Sequence, residues 1–149
     1  MLEIRPVKIE DASFIQTINE KTLGYVYPLD KTTIRLKEMI MDKQQIFFVA
    51  SLDGQPVGYV QAEHYLCSYF DPMYNVLALA VMDDFQHQGI GKKLMAALEA
   101  QAIKCGVYTI RLNSGQSRVN AHQFYQRLGF EQSGYLQKRF IKNVKIKGE

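Results

Sequence analysis

A chain of 149 residues, 47% hydrophobic and 22% charged with a formal net charge of +3, is neither disordered nor too small to bury a core. It holds no apolar run near the ~20 residues of a membrane helix, and Met1-Leu2-Glu3-Ile4-Arg5 lacks the apolar stretch of a signal peptide. Cys67 and Cys105 make no disulfide framework, so one domain over residues 1–149 in a reducing, cytoplasmic setting is expected.

Leu2-Glu3-Ile4-Arg5 alternates as a short strand stopped by Pro6. Asp11 or Ser13 is a cap for a helix carrying Phe14, Ile15, Ile18 and Leu23, which Gly24 ends. An aromatic loop, Tyr25-Val26-Tyr27-Pro28, follows. Ile34, Leu36, Met39 and Ile40 then predict an amphipathic helix over 32–41. Residues 46–50 and 57–66 read as a hairpin around Asp53-Gly54. The continuous apolar run 75–81 reads as a central strand buried on both faces. A long helix carries Ile90, Leu94, Leu98 and Ala102 on one stripe and stops at Gly106. A strand is expected over 108–112, then a helix over 120–128 with Ala121, Phe124, Tyr125 and Leu128 at helical spacing, closed by Gly129. Residues 130–144 read as two final strands broken at Ser133-Gly134. This order describes a mixed α/β (α+β) layer.

The net positive charge is concentrated in residues 138–149, where Lys138, Arg139, Lys142, Lys145 and Lys147 face only Glu149. Without a wider basic and aromatic surface, nucleic-acid binding has little support, and a solvated end is expected.

The segment Val81-Met82-Asp83-Asp84-Phe85-Gln86-His87-Gln88-Gly89-Ile90-Gly91-Lys92 joins the buried strand to the long helix. The first N–H groups of a helix have no internal partner, and its dipole favours an anion there. Glycines let a ligand approach the backbone, so this turn is a phosphate or pyrophosphate cradle. Lys92 and Lys93 oppose the helix dipole, a placement that an anion would explain. A P-loop lacks its upstream glycine and its Ser/Thr here, and a dinucleotide fingerprint would need glycine where Leu94 stands.

Gln86-x-x-Gly89-x-Gly91 after an apolar strand resembles the acetyl-CoA signature of the GNAT superfamily of N-acetyltransferases. Asn120-Ala121-His122-Gln123-Phe124-Tyr125-Gln126-Arg127-Leu128-Gly129-Phe130 resembles that family's closing helix, which ends in Phe-Tyr and then Gly-Phe. The resemblance implies a central mixed sheet flanked by helices and splayed between strands 4 and 5. Acetyl-CoA would lie in the splay, its pantetheine along Leu79, Ala80 and Val81. Its pyrophosphate would meet the amides of Gln86, His87, Gln88, Gly89, Ile90, Gly91 and Lys92. Asn113 would stand across the opening, and Asn120 and Tyr125 would face the cofactor. The chain departs from the family pattern at Asp83, where proline is common, at His87, where glycine is common, and at Arg118, where asparagine is common. Arg118 or Asn120 is thus the CoA contact near that helix.

The activity implied is direct acetyl transfer to a primary amine in a ternary complex, without metal. Tyr125, carried over from the Phe-Tyr block, is the candidate general acid. An alkyl amine with a pKa of ~10.4 needs a base near neutrality. Glu63, on one strand face with Tyr59, Gln61 and Tyr65, is that candidate, directly or through water, while His64 shares the Val60 and Ala62 face. His64, His87 and His122 show no metal spacing, and both cysteines read as packing residues. A small-molecule or peptide amine would enter against Tyr25, Tyr27, Tyr69, Phe70 and Tyr74. The final strands are available for a homodimer. A second reading of the same cleft is a non-catalytic acyl-CoA-binding sensor or regulatory module.

Overall fold

The computed structural model describes residues 1–114, 119–132 and 139–144. The chain forms two compact units, Met1–Asn113 and Ser114–Glu149.

In the first unit, β1 (Leu2–Pro6) lies at the sheet edge, where Pro6 can lack an N–H without breaking a ladder. Asp11 holds the N-cap position of the next helix, but its side chain makes no cap hydrogen bond there. It closes the tight turn ahead of it, accepting the Lys8 N–H at 2.8 Å and the Arg5 guanidinium at 2.8 and 2.9 Å. Ser13 is exposed. α1 (Ala12–Ile18) buries Ala12, Ile15 and Ile18, and a π turn over Asn19–Leu23 carries the chain to Gly24. α2 (Leu29–Met41) starts earlier than expected because the Pro28 carbonyl accepts both the N–H and the hydroxyl of Thr32, at 2.9 and 3.0 Å.

β2 (Gln45–Leu52) and β3 (Gln55–Cys67) form the expected hairpin, with positive φ at both Asp53 and Gly54. β4 (Phe70–Val81) begins well before residue 75, because its antiparallel pairing with β3 reaches back to Cys67 opposite Phe70. α3 (Ile90–Lys104) follows, then β5 (Ile110–Leu112), shorter than expected and parallel to β4. The sheet order is β1-β2-β3-β4-β5. On one face Ala12, Ile15, Ile18 and Leu36 pack with Phe47, Val49, Tyr59 and Ala80. α3 buries Leu94, Met95, Leu98 and Ala102, and Ala50, Val60, Ala62 and Val76 alternate onto the opposite sheet face.

Two irregularities position the site. The β3–β4 register runs Gln61 opposite Ala78 but Ala62 opposite Val76, so Leu77 is a bulge. Among the described residues β5 pairs only with Tyr74, Asn75 and Val76. Past the bulge, residues 77–81 keep β3 on one side and have no β5 on the other, so the mixed sheet opens between strands 4 and 5.

In the second unit, α4 (Val119–Arg127) is closed by backbone hydrogen bonds from Leu128, Gly129 and Phe130. Gly129 N–H donates to the Gln126 carbonyl and Phe130 N–H to the Tyr125 carbonyl, each at 3.0 Å. Gly129 takes φ +95°, the left-handed conformation this closure requires. The Phe130 ring lies 5.8 Å from that of Tyr125, the apolar contact that accompanies such a closure. Residues 130–132 and 139–144 form no strand, and the rest of the expected final strands, with Ser133-Gly134, lies outside the described residues.

Candidate active site

The open edge of β4 runs directly into the glycine turn. A short 3-10 turn at Asp83–Phe85 reverses the chain. Gln86 braces it, its side-chain amide donating to the Val81 carbonyl at 3.0 Å and to Asp83 Oδ1 at 3.2 Å. Gln86 N–H is itself engaged by the Asp83 carbonyl at 3.3 Å. Its role here is to fold the turn back onto the strand. His87 and Gly89 then take φ +64° and +81°. Alternating left-handed residues turn successive N–H groups toward one side, the geometry of an anion nest. A Cβ on Gly89 would meet nothing within 4 Å, so φ, not crowding, selects glycine there. Lys93 N–H to the Gly89 carbonyl, at 3.1 Å, is the first bond of α3. The N–H groups of Gly89, Ile90, Gly91 and Lys92 thus stand ahead of the helical ladder at the positive end of the helix dipole.

At the other end of the opening, where β5 still pairs with β4, the residues on the α1–α2 face are polar. Asn75 Nδ2 donates to Glu63 Oε1 at 3.1 Å, and Arg111 Nε donates to Asn75 Oδ1 at 3.2 Å. Gln61 shares this face, donating to Gln45 Oε1 at 3.3 Å and lying against Met39 of α2. Tyr59 stacks on Phe47 and donates to Asn19 of the π turn. Burial, with Tyr25 nearby, pushes the Tyr59 phenol well above its ordinary value, so it stays a neutral donor. Glu63, Gln61 and Tyr59 therefore share one face, and His64 lies on the other, bonded to Gln44 at 2.7 Å and edge-on to Tyr74.

The five aromatic residues expected as one wall do not form one. Tyr25 and Tyr27 are exposed in the loop between Gly24 and α2. Tyr69 and Phe70 cluster with Tyr65 at the far end of the β3–β4 hairpin. Tyr74 is buried toward α3, where burial and a hydrogen bond with Cys105 push its phenol up to about 12. Strand alternation and the length of β4 separate them.

A profile of the acetyltransferase (GNAT) domain matches residues 43–132, more than half of the chain and part of both units. The chain belongs to the GNAT acetyltransferase family. It is 30% identical over 132 residues to the uncharacterized N-acetyltransferase CT2212 of Chlorobaculum tepidum, covering 87% of this chain and 75% of that protein. It is 28% identical over 137 residues to the N-alpha-acetyltransferase of Sulfurisphaera tokodaii, covering 87% and 80%. Among solved structures, AAC(6')-Iy in complex with the bisubstrate analog CoA-S-monomethyl-acetylneamine superposes with a TM-score of 0.83 at 19% identity, over 96% of this chain and 99% of that one. That last likeness is one of fold.

The remaining residues of the GNAT pattern lie as follows. Leu79, Ala80 and Val81 occupy the open β4 edge. Asn113 follows β5 and is exposed. Asn120 is exposed in the first turn of α4, and Arg118 lies outside the described residues. Tyr125 is half-buried, its ring 5.3 Å from that of Phe124. Asn75, Arg111 and the Leu77 bulge were not singled out by sequence reasoning. A charged residue between Ile110 and Leu112 was the available signal for Arg111, whereas nothing in an apolar run marks a bulge. Among the described residues no helix is long and apolar enough to cross a membrane.

Proposed function

We propose that this GNAT protein moves an acetyl group from acetyl-CoA to a primary amine by direct attack in a ternary complex, with residues 1–149 acting as one domain in the cytoplasm. The observation that carries the reading is the open β4 edge leading into a nest of unpaired helix-terminal amides. Pantetheine extends along Leu79, Ala80 and Val81 as an added strand. The amides of His87, Gln88, Gly89, Ile90, Gly91 and Lys92 take the pyrophosphate, with Gln86 as the brace and Asn113 and Asn120 contributing from their own segments.

In the reaction the amine lone pair forms the new C–N bond and the C–S bond breaks. Glu63, directly or through one water, takes the proton the amine loses, and Tyr125 protonates the departing thiolate. Backbone N–H groups on the open edge of β4 steady the thioester oxygen. A CoA thiol, with a pKa near ~8.5 like cysteine, needs only modest acid help. The name of the Sulfurisphaera relative supports an amine acceptor.

Thiol release from acetyl-CoA, measured across a panel of small and peptide amines alongside calorimetric CoA binding, tests the reading. Turnover that falls in Tyr125→Phe with acetyl-CoA affinity retained is expected. Tight CoA binding with no turnover on any amine would instead identify a non-catalytic acyl-CoA-binding module.

A further inference from the structure

Four adjacent strands contribute polar residues at one level of the sheet. Gln45 of β2 is opposite Glu63 of β3, Glu63 is opposite Asn75 of β4, and Asn75 is opposite Arg111 of β5. Along β2 and β3, Val49 and Tyr59 on the same face belong to the apolar core under α1. A polar row in register on such a face needs partners, because a half-buried polar group without a hydrogen bond is costly.

The row is directional. Arginine can only donate, so its Nε fixes Asn75 with Oδ1 toward Arg111. The Asn75 NH2 group must then turn to Glu63, as it does. Arg111 is further held 4.5 Å above the centre of the Tyr65 ring. A carboxylate and a guanidinium are thereby fixed at the two ends of one side-chain amide, without an ion pair between them. Among the described residues nothing else donates to the Glu63 side chain and nothing else accepts from the Arg111 side chain. Glu63 Oε2 and the Nη edge of Arg111 are left for a ligand.

Those two groups match an amine and an acid on one short chain. A polycation would set its further charges against Arg111, and a plain alkyl amine would leave the guanidinium edge unmatched. We infer that the acceptor amine carries a carboxylate, recognised by Arg111, while Glu63 receives the amine end. This deepens the reading of Glu63 as the base and rests on it.

Thiol release from acetyl-CoA by the full chain, with β-alanine against β-alaninamide and glycine against glycinamide, tests the inference. The amides have the less basic amines, so their intrinsic advantage near neutrality runs against the expected result. The acids should be preferred by about tenfold or more in kcat/KM, the scale of one charge-assisted hydrogen-bonded contact. In Arg111→Gln that preference should fall toward unity through a higher KM for the acids, and Arg111→Lys should restore part of it. The wild-type comparison stands even if a variant folds poorly. Amides used as well as acids, or no turnover of either acid, overturns the inference. Acid turnover that survives Glu63→Gln overturns the base assignment instead and leaves recognition by Arg111 to the acid-to-amide ratio.

Discussion

His87 stands with φ +64° in a turn whose next left-handed residue is a glycine. A side chain in that region costs roughly 1–2 kcal/mol, partly offset by the greater unfolded-state freedom glycine would bring. His87→Gly is therefore expected to raise stability by up to about 1 kcal/mol, read as a shift in the denaturant midpoint without a change in slope. Gly89→Ala should lower it by about 1 kcal/mol and weaken CoA binding by distorting the amides that follow. The site was legible at this scale wherever backbone conformation dictates residue type. Glycines at 89 and 129 are demanded by their φ values, and the sequence displays them. Asn75 and Arg111 were not legible, because their meaning lies in register across strands, which no local pattern encodes.

Among the elements, β1 is tied to the start of α1 through Arg5 and Asp11. Burial raises the Asp11 carboxyl pKa, but hydrogen bonds from Arg5 and from the Lys8 N–H outweigh it, so the folded value lies below the ordinary one. A carboxyl depressed on folding contributes stability that is complete above its unfolded value, near ~3.9, and lost as pH falls through the folded value. Asp11→Asn should cost roughly 3 kcal/mol near neutrality, by stranding Arg5, and should flatten the loss of stability below pH ~4. Unfolding monitored from pH 2 to 7 checks both. At the other end of the chain, Gly129→Ala should cost about 1 kcal/mol locally and speed amide exchange at Phe130, whose N–H closes α4. Helices with strong periodicity were legible to within a few residues. α2 begins before residue 32 because Pro28, at the end of the aromatic loop, supplies the carbonyl that starts it. β4 starts at Phe70, before the apolar run that signals it, because pairing with β3 down to Cys67 opposite Phe70 extends the strand.

Across the whole molecule, the sheet is paired in full from β1 to β3 and only in part between β4 and β5. Hydrogen exchange should follow that division, with β2 and β3 slowest. On adding acetyl-CoA, amides in residues 77–81 should exchange at least about tenfold more slowly, as expected when an added strand supplies acceptors. Unchanged exchange there, with CoA bound, would remove pantetheine from the β4 edge. The family-level layout was legible from two short blocks because each is set by helix-terminus geometry. The opening itself was visible only through resemblance, since a strand that loses its neighbour carries the same apolar residues as one that keeps it.

The bulged Leu77 also sets the parity of β4. In an even ladder, side chains two apart share a face, yet Asn75 and Ala78, three apart, look the same way. The extra residue resets the count midway along the strand. The half of β4 assigned to the cofactor and the half that meets Glu63 are thus numbered out of phase, and each can present a different set of side chains to the same side. Were Leu77 drawn into the ladder, every residue before it would exchange faces and Asn75 would turn toward α3. One uncounted residue therefore fixes which chemistry the β3–β5 strip offers.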